Sequence, residues 1–438
     1  MSSPAGTESP GVTRAFIVRV SPFNGKFAGG KAATVTFAFA CGLFDCGLDF
    51  DERAGVPRAF IGIFAATMLN LLAVGALLPV LALYVKGPLG EGDLAVGIVV
   101  GAYAVTGVIF RPVAGHLADS RGRRWVLVLG SAISAVAGAL LFVPLGLVAV
   151  LASRLVLGAG EGSVFTAGSA WVADIAPAGN RARLIGIYGL AVWSGLSIGP
   201  AVGHALMTLG GFKLVWLLVL LTPIVSVAIA LRTREAYEAS PGAGGPVPRR
   251  SFISREALGP GVSMALVSAG FAAMASFVVL HMNDEGVSGG AWVFTAFAAS
   301  LVLSRIVAGG LPDRLGPRRV AAIAALLEAL GLAVIGVAGS LPVALVGAVV
   351  MGWAFSVLYP SLSLIVLERV PDSRRGAAFG TFTATFDLGV ALGAPLVGLV
   401  ISFSDYAAGF IFAAGLALLV AVIQLALMLG ESRAGARA

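Results

Sequence analysis

Twelve stretches of this chain are apolar enough, and most of them long enough, to cross a lipid bilayer. They lie at about 59–85, 94–118, 125–143, 147–175, 182–208, 213–232, 258–282, 290–311, 319–338, 342–368, 375–403 and 406–429. Backbone polar groups in hydrocarbon must be satisfied within the segment, so such stretches fold as helices. The reading is an all-α membrane protein of twelve transmembrane helices. Composition supports lipid as the main solvent: 58% of residues are hydrophobic and 12% charged, against about 25% charged in soluble domains. The net charge of +7 does not indicate nucleic acid, because the basic residues lie in short connections rather than on one face.

The basic residues set an orientation. One set of connections holds Arg121, Arg123, Arg124, Arg181, Arg183, Arg232, Arg234 and eight or more further arginines, while the other holds only Lys86 and Lys213. By the positive-inside rule the first set is cytoplasmic, and an even number of spans places both termini there. The connections at 144–146 and 339–341 are too short for anything but antiparallel neighbours. Arginine outnumbers lysine 25 to 4, which with 59 glycines points to a GC-rich, prokaryotic genome and an inner (plasma) membrane.

Residues 1–56 read as a poorly ordered tail, and an over-extended gene start is one expectation for it. Its apolar run 32–44 has thirteen residues, about 20 Å of helix against a hydrocarbon core of roughly 30 Å. No compact apolar core with a cleavage site marks a signal peptide. Cys41 and Cys46 lack a second ligand pair for zinc and read as incidental. The longest connection, 233–256, is rich in Gly, Pro and Ser and reads as a flexible linker. It divides the chain into 57–232 and 257–430, six spans each, with 431–438 as a short tail.

A shift of 194 residues superposes the two sets. Arg111, Val113, Ala114, Gly115, Leu117, Asp119, Gly122 and Arg124 fall on Arg305, Val307, Ala308, Gly309, Leu311, Asp313, Gly316 and Arg318. The same shift places Gly158 on Gly352, Gly195 on Gly389 and Gly199 on Gly393. The chain is a duplication, and six spans per copy give both copies one orientation.

On these motifs the chain resembles the major facilitator superfamily, over about residues 57–430. "GHLADSRGRR" resembles its signature loop between spans two and three, and "GLPDRLGPRR" the weaker copy between spans eight and nine. "RLVLGAGEG" resembles a span-four motif built around a membrane-embedded arginine. "GLSIGPAVGH" resembles the exporter motif of span five, with Gly195, Gly199, Pro200 and Gly203 in place and His204 where a glycine is usual. The branch indicated is that of bacterial twelve-span drug/proton antiporters resembling arabinose-efflux permeases, although Ala82 stands where a second span-one proline is expected. The resemblance implies two pseudo-symmetric six-helix bundles, the major facilitator fold, with spans one, four, seven and ten around a cavity. It implies a cytoplasmic gate of Gly115, Asp119, Gly122, Arg123 and Arg124, echoed by Asp313 and Gly316. Asp119 would meet the start of span eleven near Arg375 and Gly376, where a helix N-terminus favours a carboxylate by about 0.3–1 kcal/mol.

Charges at mid-membrane cost about 2.5–3.5 kcal/mol on insertion scales and so need a reason. Arg154 and Glu161 lie within span four on one face, about 10 Å apart along the helix, which leaves room for other partners. A buried structural ion pair and a coupling site are both open readings. Asp387 lies midway along span eleven, and a neutral, hydrogen-bonded acid is its alternative. Glu161, with Arg154 beside it, is the first candidate for proton coupling and Asp387 the second. Glu328 in span nine is assigned to packing. Arg111 and Arg305 are read as snorkelling to the interface. Candidate cavity residues are Asn70, Phe271, Met274, Phe277, His281, Trp353 and Tyr359, an aromatic and weakly polar set suited to an amphiphile.

The expected function is proton-coupled efflux of small, largely apolar molecules by alternating access. An importer of a sugar or organic acid is the alternative, followed by a non-transporting sensor. No Walker lysine motif, H-E-x-x-H or G-x-S-x-G occurs, so an enzyme is not expected, nor a cofactor or metal. The expected partners are a small-molecule substrate, the proton and the lipid bilayer, without nucleic acid, and the chain is expected to act as a monomer. Deleting residues 1–54 should leave membrane insertion and transport intact in a fractionation and uptake assay. Loss of insertion would give 32–44 a topological role.

Overall fold

A computed structural model describes residues 58–177, 181–235, 254–308, 310–370 and 375–435. The tail 1–56 with Cys41 and Cys46, most of the linker, and Gly309 lie outside them. Among the described residues twelve helices are long and apolar enough to span a membrane. They are Arg58–Lys86, Asp93–Arg121, Arg123–Leu140, Leu147–Ile175, Arg181–Gly210 and Phe212–Arg232, then Arg255–Asp284, Gly290–Ala308, Pro317–Gly336, Leu341–Leu367, Arg375–Phe403 and Tyr406–Gly435. These are spans one to twelve, and the expected all-helical class is the one observed. A short helix, Leu311–Leu315, sits between spans eight and nine. Large apolar side chains such as Ile109, Val113, Leu209 and Phe403 face outward, as lipid contact requires.

The duplication read from the sequence recurs in the packing. Span one packs on five and six, two on four, and three on four and six. Span seven packs on eleven and twelve, eight on ten, and nine on ten and twelve, the same scheme six spans later. Small residues make these approaches possible, since lipid supplies no hydrophobic drive between helices and close van der Waals contact must. At Gly158 an added Cβ would lie 1.9 Å from the Tyr103 carbonyl oxygen and 2.4 Å from Thr106 Oγ1. At Gly352 it would meet Ser300 Oγ at 2.0 Å and the Phe297 carbonyl at 2.3 Å. These neighbours are themselves one repeat apart. So are two hydroxyl contacts, Thr106 Oγ1 donating to the Leu155 carbonyl at 2.7 Å and Ser300 Oγ to that of Val349 at 3.2 Å.

The span-five glycines do the same against span one. A Cβ at Gly195 would lie 2.6 Å from the Met68 carbonyl, at Gly199 2.6 Å from the Ala76 amide nitrogen, and at Gly203 2.3 Å from the Ala76 carbonyl. Pro200 lies inside the helix between them. Their immediate role is close packing within the first six spans.

The two sets meet along spans two and eleven, five and eight, and one and seven. At the end away from the arginine-rich loops the contact is backbone-close. A Cβ at Gly97 would lie 2.3 Å from the Ala394 carbonyl, and one at Gly398 2.6 Å from that of Asp93. Tyr406 Oη donates to Asp93 Oδ1 at 2.9 Å, and Lys86 pairs with Asp93 at 2.6 Å. Toward the arginine-rich end the same spans diverge. Among the described residues nothing lies within 4 Å of a Cβ at Gly186 or Gly380, and Ile185 and Phe379 are each 41% exposed.

Gly158→Ala should therefore lower the thermal midpoint of the purified protein. Alanine gains about 0.8–1 kcal/mol of helix propensity, but overpacking against a fixed backbone costs about 1–3 kcal/mol or more. Gly186→Ala, with open space, should be neutral or slightly stabilising. A Gly158→Ala midpoint at or above the parent would contradict this packing.

Candidate functional site

Between the two sets of six spans lies a cavity of about 370 Å³, lined by spans one, two, four, five, seven, eight, ten and eleven. Its wall is largely aromatic. Phe271 lies at the centre of a ring cluster, with Phe355 stacked on it at 5.8 Å, Phe386 at 6.0 Å and Trp193 edge-on at 6.4 Å. Five charged residues also line it: Arg111, Arg154, Glu161, Arg305 and Asp387. The cavity opens toward the arginine-rich end, past Ile185 and Phe379.

Arg111 joins the two acids. Its Nε lies 2.9 Å from Asp387 Oδ2, off the line of a hydrogen bond, and its Nη2 donates to Asp387 Oδ1 at 3.4 Å. Glu161 Oε2 is 3.9 Å from the same Nη2. Both carboxylates are about 5% exposed and the guanidinium 19%. The Phe165 ring closes the remaining face, 4.9 Å from Arg111 Cζ. Glu161 comes from span four and Asp387 from span eleven, so one arginine carries an acid from each side of the molecule.

This corrects the expected snorkelling of Arg111 and supplies the other partners expected for Arg154. Arg111 does not snorkel: it stands ten residues before the end of its helix, about 15 Å deep, and turns inward. Arg154 does not pair with Glu161. Its Nε donates to the Val99 carbonyl at 3.2 Å and its Nη2 to that of Val100 at 3.5 Å, with its guanidinium 4.8 Å from the centre of the Tyr103 ring. Arg154 thus ties span four to the backbone of span two. Arg305 also faces the cavity rather than the interface.

Of the expected cavity residues, Phe271 and Tyr359 line it. Asn70 is turned into the first six spans, where its Nδ2 donates to Ser226 Oγ at 2.7 Å and Ser131 Oγ at 3.1 Å, tying spans one, six and three. His281 sits among spans seven, nine and twelve, its Nε2 2.9 Å from the Ile335 carbonyl and its ring 5.4 Å from Phe410. Met274 and Phe277 are fully buried in the core, and Trp353 packs against it with its carbonyl accepting from Ser304 Oγ at 3.3 Å. None of these five lines the cavity, because each helix presents only a narrow face to it. Glu328 is fully buried against Gly270 of span seven, in keeping with packing. Residues that sequence reasoning missed are Tyr103, Trp193, Phe355 and Phe386, all pointing into the cavity.

At the arginine-rich end, Gly122 (φ +101°) and Gly316 (φ +87°) close the second span and the short helix after the eighth in a backbone conformation that favours glycine. Gly115 lies less than two turns before the end of span two, 3.7 Å from Thr166 Cγ2 at its Cβ position. Arg123 pairs with Asp119 and with Asp174 at 3.1 Å. Glu235 accepts the Arg123 and Arg124 backbone N–H groups at 2.6 and 3.0 Å, an acid placed where the span-three helix dipole favours one. The Arg124 guanidinium lies 5.4 Å from the Trp125 ring. Asp313 belongs to the short helix of the second copy. The expected meeting of Asp119 with Arg375 and Gly376 falls on side chains outside the described residues. Among the described residues no cluster of three His, Cys, Asp or Glu side chains is arranged to hold a metal.

Comparison with known proteins fits this architecture. A family model described as Major Facilitator Superfamily matches residues 63–291 and 261–437. An uncharacterized MFS-type transporter of Salmonella typhimurium is 33% identical over 375 residues, covering 82% of this chain and 94% of that one. The uncharacterized MFS-type transporter YhhS of Escherichia coli K12 is 29% identical, covering 82% and 90%. Among solved structures, the nucleoside transporter NupG superposes with a TM-score of 0.69 at 16% identity, covering 85% of this chain and 99% of its own. At that identity the likeness concerns the fold.

Proposed function

The chain belongs to the major facilitator superfamily as a multi-pass membrane transporter, and on that premise we propose that it exports small, largely apolar molecules in exchange for protons by alternating access. The observation that carries this reading is the Arg111 bridge between Glu161 and Asp387 on the wall of an aromatic cavity. The aromatic lining suits an apolar or amphiphilic cargo, and about 370 Å³ is the size of a small-ligand site.

Coupling follows from the bridge. Arg111 and Asp387 belong to spans two and eleven, which must move past each other if the cavity is to open at the opposite end. A charged pair in a low-dielectric site resists separation, since losing one partner of a buried pair costs about 3–5 kcal/mol. Protonation of Asp387 removes that charge, and Glu161 in span four is placed to keep Arg111 neutralised on its own side. A proton supplies about 1.4 kcal/mol per pH unit and about 2.3 kcal/mol per 100 mV, of the same order as the cost of the separation. With the arginine-rich end cytoplasmic, the open cavity faces the cytoplasm with Asp387 ionised and paired. In the exchange cycle Asp387, parted from Arg111 once the cavity opens at the other face, takes up a proton there, carries it back on the inward swing and releases it to the cytoplasm as the Arg111 pair re-forms.

In proteoliposomes with an imposed pH gradient, Asp387→Asn and Glu161→Gln should each abolish uphill transport while downhill exchange persists. Uphill transport by Asp387→Asn with the parent's pH dependence would overturn the coupling role. Counterflow in oriented vesicles reads the direction, and accumulation only in the cytoplasmic sense would replace export with import.

A further inference from the structure

The arginine at the bridge exists twice. Arg305 stands one repeat distance, 194 residues, from Arg111, and both line the cavity. Their surroundings have diverged. The residue one repeat from Glu161 is Phe355, and the residue one repeat from Asp387 is Trp193. Where Arg111 has two carboxylates, Arg305 therefore has two aromatic rings. In space the Arg305 guanidinium lies 5.9 Å from the centre of the Trp193 ring, and Phe355 lies 6.2 Å from Trp193. The Phe165 ring, 4.9 Å from Arg111, has Tyr359 as its counterpart one repeat on, and Tyr359 lines the cavity with Arg305. Among the described residues, no carboxylate forms an ion pair with Arg305.

The cavity is consequently left with three arginines against two acids. Arg111 has Glu161 and Asp387 and Arg154 has two backbone carbonyls, so Arg305 is the cavity arginine that has neither a carboxylate nor a carbonyl partner among the described residues. A guanidinium in so apolar a wall is costly without an anion, and its planar donors match a carboxylate in a two-pronged contact. We propose that Arg305 is the anion-recognising residue of the cavity and that the cargo is an amphiphilic organic monoanion, its acid group on Arg305 and its apolar body against the Phe271–Phe355–Phe386 cluster. This rests on the transport reading and narrows its substrate class from apolar molecules to apolar acids. The geometry also separates two tasks: the first copy of the arginine handles the protein's own acids, and the second handles the cargo's.

The test uses the purified full-length protein in lipid nanodiscs with three probes on one skeleton: 2-naphthoate, 2-naphthamide and 2-naphthylmethylammonium. Binding is read by calorimetric titration and by thermal shift, without a proton gradient. The carboxylate should bind at least about tenfold tighter than the amide and the ammonium, the worth of a charge-assisted contact. Arg305→Gln should lose about tenfold to a hundredfold in carboxylate affinity with the amide little changed, and Arg305→Lys should retain part of the preference. The proposal is overturned if the carboxylate does not bind, if the amide or ammonium binds as tightly, or if Arg305→Gln keeps the parent's carboxylate affinity. Should Arg305→Gln fail to fold, the parent protein's ranking of the three probes and the Lys variant decide the matter. Carboxylate binding through Arg305 without gradient-driven transport would sink the coupling reading alone. Gradient-driven export of neutral compounds with no carboxylate preference would sink this inference alone.

Discussion

A guanidinium at mid-membrane needs polar partners, and Arg111 draws an acid from each side of the molecule. Asp387 holds it at 2.9 Å from the second set of spans, and Glu161 approaches to 3.9 Å from the first. In water such an arrangement would be worth little, but in a low-dielectric aromatic wall the loss of one partner of a buried pair costs about 3–5 kcal/mol. The rest of the structure serves this constraint. Arg154 fixes span two to span four through the Val99 and Val100 carbonyls, so that Arg111 is presented at a set depth. The glycines at 158 and 352 let those spans, and their counterparts eight and ten, approach to backbone contact.

The contacts divide into two kinds. Within each set of six spans, small residues and hidden polar knots such as Asn70 with Ser131 and Ser226 make close, lasting seams. Between the sets, among the described residues, the seam is tight at the end away from the arginine-rich loops, where Gly97, Gly398 and the Asp93–Tyr406 hydrogen bond lie. The cavity sits where that seam ends and the Arg111 bridge begins. A duplicated chain supplies this arrangement directly: two copies of one bundle give matched faces, and divergence between them, Trp193 in the first where the second has Asp387 and Phe355 in the second where the first has Glu161, gives the cavity its asymmetry.

Much of this was legible in the sequence and some was not, for physical reasons. The twelve spans follow from apolar length, which lipid makes nearly decisive, and the duplication follows from identities at a fixed shift that return as matching helix contacts. Family membership was readable in "GHLADSRGRR" and its copy. The pairing of charges was not, because hydropathy reports depth but not direction. Arg154 and Glu161 share a helix and look like partners, yet about 10 Å of rise separates them and the nearer guanidinium comes from span two. A depth count would have found it, since ten residues from a helix end is too far to snorkel. Asn70 and His281 look like cavity groups by type and span, but their hydrogen bonds run sideways into their own bundle.

On the proposed coupling, the charge state of Asp387 biases the relative position of the two bundles through Arg111, with Glu161, Tyr103 and Tyr359 as the other groups facing the site. Spin labels at Ser120→Cys and Leu315→Cys, in a background with Cys41 and Cys46 replaced by serine, report the opening at the arginine-rich end by electron–electron distance. Lowering the pH should shift the population toward shorter distances, as release of the bridge by protonation of its acid requires. In Asp387→Asn the distribution should favour the short distance throughout and lose that pH response. A full pH response retained in Asp387→Asn would contradict the account.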